Sequence, residues 1–453
     1  MTDSTATPPP TTSGSGFFRL AYEYLSGTNL VGRAIVLAML MFALKIPLEM
    51  VDGVIDDRRV HEVEATKKVT ESWGKAQTFI GPLIVLPYRR FVEGKGIEWQ
   101  RHTLLPEKLS IDGLVKPEQR YRGLFAVTVY TASLDVVAEF KTQTLLGLPT
   151  SSPGIDWAEA RLDLGLPDAT TIDADPVDVD GQKIEWFPGS TANTSFSALQ
   201  ASLKSVDLLN RDTVIVRFRI TFGGSGSLVF APLGRRTDTT LVSSWRSPGF
   251  VGRNLPLKQS IDASGFRASW LVSDLGRHYG QIWDSGSKTE PTLGAVTNST
   301  FGFALHTPIN AYRQTDRAIK YAVMFIGLTF ATCLLFEMAT GTRPHVAQYG
   351  LIGLSLCVFY LLLLSTSEQI GFAPAYLASA AAVVIQATIY NWALYRRRGP
   401  ALVFGAILTG LYAGLYALLR LEDVALLAGS MLLFAVLSLA MWFTRNLHKT
   451  QPA

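Results

Sequence analysis

Six long apolar stretches constrain the fold of this chain more than any other feature of it. The first, LVGRAIVLAMLMFALKIPLEMV at 30–51, is about 20 residues long, enough to cross a hydrocarbon core of roughly 30 Å as a helix. Five more crowd into the last third, at 319–338, 348–365, 371–394, 401–419 and 424–443. Hydrophobic residues make up 48% of the chain and charged residues 17%, below the roughly 25% charged of soluble proteins. The apolar excess sits in those stretches. The pattern predicts an α+β membrane protein with one N-terminal transmembrane helix, a large β-rich insert and a C-terminal bundle of five transmembrane helices.

The first stretch carries Arg33, Lys45, Pro47 and Glu49. Charges near its ends can snorkel to the interface. Lys45 is the costly one if it faces lipid. No small-residue cleavage site follows at the right distance, so the stretch reads as an uncleaved anchor. The later stretches are joined by GTRPHVA, STSEQI, YRRRGP and LRLED, short enough to force antiparallel neighbours. An N-terminus inside the cell puts Arg19, Arg343, Arg396–Arg398, Arg445 and Lys449 inside, as the positive-inside rule requires. The outer short loops then hold Glu368, Arg420, Glu422 and Asp423. Both tails, 1–29 and 444–453, fall inside, and 52–317 falls outside.

Between Asp52 and Arg317 there are 30 Lys+Arg and 30 Asp+Glu, so the insert is neutral. That excludes the basic footprint of a nucleic-acid binder. The chain's two cysteines, Cys333 and Cys357, both lie in apolar runs, so no disulfide framework or zinc pattern serves the insert. An ordinary core must hold it, and about 265 residues are enough to build one. VTVYTASLDVVAEF (127–140) and DTVIVRFRITF (212–222) alternate apolar and polar residues. Turn signals recur closely in IDGLV, DVDGQ, FGGSGS, APLG, SPGF and DASG, which predicts a sandwich-like β domain. The charged segment 52–73 is helix-prone and extends the first helix, and WAEARLDLG (157–165) suits a short helix or a strand.

Three stretches approach catalytic or metal motifs and each lacks a required residue. HEVEA at 61–65 lacks the second histidine that a zinc-protease helix needs, since Ala65 stands there. FGGSGS ends in Ser227 where a nucleophile elbow wants glycine, so it reads as a Gly-rich hairpin turn. DADPVDVDGQ has Pro176 where a calcium loop needs its first acid, and DG between VDV and KIEW favours a hairpin. His61, His102, His278 and His306 show no metal-like spacing. No cofactor is expected.

The membrane acids remain. Glu337 lies near the inner end of the second span and forms a candidate inner-face pair with Arg343, beside His345. Glu368 and Glu422–Asp423 sit at outer hairpin tips. Together with Arg420 and Arg317 they form a candidate polar patch on the outer side. An acid at bilayer depth is a functional hypothesis by default, but a hairpin tip is near water, so position favours a simple turn.

ESWGKAQTFIGPLIVLPY (71–88) resembles the signature block of the CreD family. LLPEKLSIDGLVKPEQRYRGLFAVTVYTASL (104–134), SGSLVFAPLGRRTDTTLVSSWRSPGFVG (225–252) and SGFRASWLVSDLGR (264–277) resemble the blocks that follow. In the membrane half, 318–337, 345–377 and 421–447 are similar in the same order. The likeness covers about 30 to 447 and omits the first 16 residues and the acid-rich stretch near 168–180. It implies a Gram-negative inner-membrane protein, with both termini cytoplasmic and 52–317 periplasmic, tied to envelope integrity and colicin tolerance, whose expression follows an envelope-responsive two-component system. It implies no catalytic residues. The expected partners are the lipid bilayer and an envelope protein, lipid or glycan, with oligomeric state left open. One rival is a membrane-embedded enzyme using Glu368 and Glu422/Asp423 on a lipid or cell-wall precursor. The other is a transporter.

Overall fold

In a computed structural model of the chain, the described residues are 30–92, 96–142, 154–168, 170–190, 197–208, 210–285, 290–305, 311–340, 344–396 and 398–420, with seven single positions between 427 and 441. The chain divides into two compact units, Met1–His61 with Ile309–Ala453, and Glu62–Pro308.

The first unit is helical. Leu30–Trp73 begins in it and runs 44 residues. Val346–Ile370, Phe372–Tyr395 and Arg398–Arg420 follow. These four are long and apolar enough to cross a membrane. Tyr312–Lys320 and Ala322–Glu337 are bent by 48° and make a fifth candidate only if taken together. The expected second span at 319–338 is therefore preceded by a separate amphipathic helix, Ala311–Lys320, that buries Gln314, Thr315 and Ala318. Most of the expected sixth stretch, 424–443, lies outside the described residues.

The first helix buries Leu37, Leu44, Leu48 and Val51 in one cluster with Phe330, Tyr349, Leu356 and Phe404. The 4–3 spacing of 44, 48 and 51 is the stripe a helix buries against a neighbour. Gly353 permits the close approach of Val346–Ile370, because a Cβ there would lie 2.2 Å from Leu44 Cδ1.

The hairpin tip read at STSEQI is helical. Thr366 and Ser367 return their hydroxyls to the carbonyls of Leu362 and Leu364, which absorbs polar side chains into the helix. The chain turns only at Gly371, where φ is +80°, and the next helix starts at Phe372.

The second unit is β-rich. Among the described residues it has two nine-stranded sheets. In one, Gln77–Val92 pairs antiparallel with Gly96–Leu104 and Arg161–Leu166, and parallel with Ser227–Phe230. In the other, Phe125–Lys141 runs antiparallel between Lys108–Arg122 and Thr213–Ser225. The alternation read in 127–140 is realised: Leu134, Val136, Ala138 and Phe140 are buried. They share one core with Ile84, Leu86 and Leu164 from the first sheet. The DVDGQ signal closes the hairpin Val177–Val179 with Gln182–Ile184. WAEARLDLG is both things expected of it, a 3-10 turn at Trp157–Glu159 and a strand at Arg161–Leu166.

FGGSGS is not a hairpin turn. Thr213–Ser225 and Ser227–Phe230 belong to different sheets, and Gly226, at φ +69°, is where the chain changes sheet. Its glycines lie inside the strand because there is no room there for a side chain. A Cβ on Gly224 would lie 2.3 Å from the Tyr130 hydroxyl.

Candidate functional site

Glu368 lies in the last turn and a half of Val346–Ile370, and its side chain is only 9% exposed. Its Oε1 accepts a hydrogen bond from the Tyr312 hydroxyl at 2.9 Å and lies 3.5 Å from Nε of Arg58. Arg58 belongs to the first helix and Tyr312 to Ala311–Lys320, so three helices converge on one carboxylate. Arg420 instead packs its guanidinium over Tyr416 and donates to that hydroxyl at 2.9 Å. Arg317 is half-buried on Ala311–Lys320. Glu422 and Asp423 lie outside the described residues.

Glu337 forms the second centre. It is buried in Ala322–Thr340, pairs with Arg33 of the first helix, and accepts from the Tyr349 hydroxyl at 2.7 Å. Arg343, its expected partner, lies outside the described residues. His345 caps Val346–Ile370: its Nδ1 accepts from the Ala347 amide while its own amide donates to Gln348. Sequence reasoning missed both arginine partners because they lie far from these acids along the chain. Their position at the two flanks of the first stretch was the available signal.

The two centres share a design of one carboxylate, one arginine from the first helix and one tyrosine hydroxyl. Arg33 and Arg58 are twenty-five positions apart on one helix, about 37 Å at roughly 1.5 Å per residue. Tyr349 and Glu368 are nineteen apart, about 28 Å. These spans bracket a slab close to the roughly 30 Å of a hydrocarbon core. A carboxylate with a cation and a hydroxyl donor has its charge matched, and breaking such a buried set is costly. The arrangement ties the first helix to the rest of the helical unit near each end of that slab.

The β unit carries a polar cluster that the sequence did not signal. The Tyr88 hydroxyl lies 2.6 Å from Asp284 Oδ1 and 2.7 Å from Gln100 Oε1. His102 is 3% exposed, stacks on Tyr88 at 4.1 Å and places Nδ1 3.5 Å from the same Asp284 oxygen. Burial pushes the His102 pKa down, opposed by Asp284. Burial and the hydrogen bond to Asp284 push Tyr88 up. The pairing register explains the cluster: Tyr88 lies opposite Gln100, and Asp284 lies opposite His102. It stacks the tyrosine ring on the imidazole beside one shared carboxylate. Among the described residues, no group of three or more His, Cys, Asp or Glu is placed to hold a metal ion.

The same unit exposes large apolar side chains near the ends of its long hairpins. Phe91 and Ile97 face each other across the first hairpin and are 75% and 68% exposed. Trp99 is exposed beside them under the Arg89 guanidinium, 4.7 Å from its ring centroid. Tyr121 and Leu124 are exposed near the turn of the hairpin formed by Lys108–Arg122 and Phe125–Lys141.

Comparison with known proteins adds to this geometry. The family model described as inner membrane protein CreD matches residues 29–449. Inner membrane protein CreD of Escherichia coli (strain K12) is 32% identical over 412 residues, covering 89% of this chain and 90% of that protein. Among solved structures, native yeast LTA4 hydrolase aligns at 9% identity and a TM-score of 0.20, covering 50% of this chain and 35% of the hydrolase. The same hydrolase with bestatin aligns at 10% identity and a TM-score of 0.20, with the same coverage. Neither likeness is close enough to carry an argument.

Proposed function

The chain belongs to the CreD family of inner membrane proteins, and from that premise we propose that it supports cell-envelope integrity as a membrane-anchored binding protein. The helices anchor it in the inner membrane with both termini in the cytoplasm, and the β unit works in the periplasm. Arg396 and Arg398, between two of the apolar helices, support that orientation because they fall on the cytoplasmic side under it.

The observation that carries the binding role is the exposed apolar tip formed by Phe91, Ile97 and Trp99. Exposed clusters of large apolar side chains mark interaction surfaces when they are contiguous. Aromatic residues with a neighbouring arginine are the composition of binding hot spots. The partner that suits this tip is a protein with an apolar pocket.

The acids of the helical unit have a different job on this reading. Glu337 and Glu368 are each bound by an arginine and a tyrosine, so they fasten helices. A photo-reactive residue in place of Phe91, in intact cells, tests the binding role. The expected product is a discrete protein adduct that disappears with Trp99→Ser. A lipid or glycan adduct, or none, overturns the protein-partner reading.

A further inference from the structure

The first helix carries a second stripe that is exposed among the described residues. Ile35, Ala38, Phe42, Lys45 and Glu49 are all exposed, at 3–4–3–4 spacing. That is the seam of a left-handed helix pair, on a different face from the buried Leu44–Leu48–Val51 stripe. Within the exposed seam, Lys45 Nζ lies 3.4 Å from Glu49 Oε1, and the two side chains are 60% and 67% exposed.

Two charges on a lipid-facing stripe are out of place. Lys45 is twelve positions from Arg33 and seven from Asp52, about 18 Å and about 10 Å along the helix. Charged groups at such depth are found facing protein or water rather than acyl chains.

We infer that this stripe is the interface of a homodimer, in which the first helices of two copies pair in parallel about an axis along the membrane normal. The argument for a second copy is charge complementarity. In a parallel pair, a residue at the position of Lys45 packs into a hole that includes both Lys45 and Glu49 of the partner chain. Each lysine then meets its own glutamate and the partner's, and these four opposite-charge contacts outnumber the two like-charge contacts across the axis. Two-fold symmetry requires such self-complementarity, and a single copy has it already. Phe42 supplies the apolar bulk of the contact and Ala38 lets the backbones approach.

The inference rests on membrane insertion as proposed above, and the experiment separates the two. Single cysteines replace Ile35, Phe42 or, as controls, Leu44 or Leu48, in the full chain in inner-membrane vesicles. The native Cys333 and Cys357 are buried and stay in place. Mild oxidation should give a disulfide-linked species of twice the chain mass for Ile35→Cys and Phe42→Cys and not for the controls. Adding Lys45→Glu to Phe42→Cys should cut that product on the order of tenfold. Adding Glu49→Lys as well should restore it. A product of another mass, no product at the seam, or equal products at seam and control positions overturns the homodimer. Release of the chain from the vesicles by alkaline carbonate would instead count against membrane insertion.

Discussion

At the scale of single residues, the clearest result is what holds the buried acids. Glu337 has an arginine and a tyrosine partner inside the helical unit, so removing the acid takes a buried countercharge away from Arg33. Breaking a buried pair in this way costs about 3–5 kcal/mol, whereas replacing both partners with apolar residues costs far less. Glu337→Leu should therefore lower the thermal midpoint in detergent strongly, and Arg33→Met with Glu337→Leu should recover most of the loss. Arg58 is half-exposed, so the same cycle at Glu368 should show a smaller coupling, about 1 kcal/mol.

His102 gives a pH signature of its own. Its folded pKa lies below the unfolded value of about 6.5. As pH falls through that value, the unfolded chain takes up a proton that the folded chain refuses. Stability is then complete above about pH 6.5 and declines as pH drops toward the folded pKa. His102→Gln should flatten that slope in thermal midpoints measured from pH 7.5 to 5. An unchanged slope would mean that another group titrates.

At the scale of elements, the glycines in Thr213–Ser225 mark where the β unit is tightest. Gly224→Ala drives a methyl group into the fully buried Tyr130, whose hydroxyl donates to the Ser227 carbonyl. Overpacking of this kind costs roughly 1–3 kcal/mol, so the thermal midpoint should fall by several degrees. Gly276→Ala, with nothing within 4 Å of the new Cβ, should leave it unchanged.

Elements were legible in the sequence where one periodicity ruled. The alternation in 127–140 gave its strand, and the long apolar runs gave helices. Two local signals misled for different reasons, distant crowding in one and hydrogen bonds within the helix in the other. FGGSGS looks like a turn, but its glycines are there because Tyr130 and Thr171 crowd the strand. STSEQI looks like a turn, but its hydroxyls bond back into the helix. The acids were visible as acids, and their partners were not, because Arg33 and Arg58 lie hundreds of residues from Glu337 and Glu368. The His102 cluster had no local signal because its strands meet only in the folded sheet.

At the scale of the whole molecule, the orientation proposed here gives a labelling pattern. Ser264→Cys, exposed in the β unit, should react with an impermeant maleimide in intact cells. Gly399→Cys, exposed between two apolar helices, should react only after the inner membrane is opened. The reverse pattern would invert the topology.

We propose a division of labour in which buried acids fasten the helices and the exposed hairpin tip of the β unit makes the working contact. Detergent survival of a strain lacking its own copy, complemented with variants matched for protein level, tests that division. Glu337→Gln and Glu368→Gln should restore survival to the level of the unaltered chain, while Phe91→Ser with Trp99→Ser should not. Survival lost with the acids and kept without the tip would overturn that division and favour an enzyme or transporter built on those carboxylates.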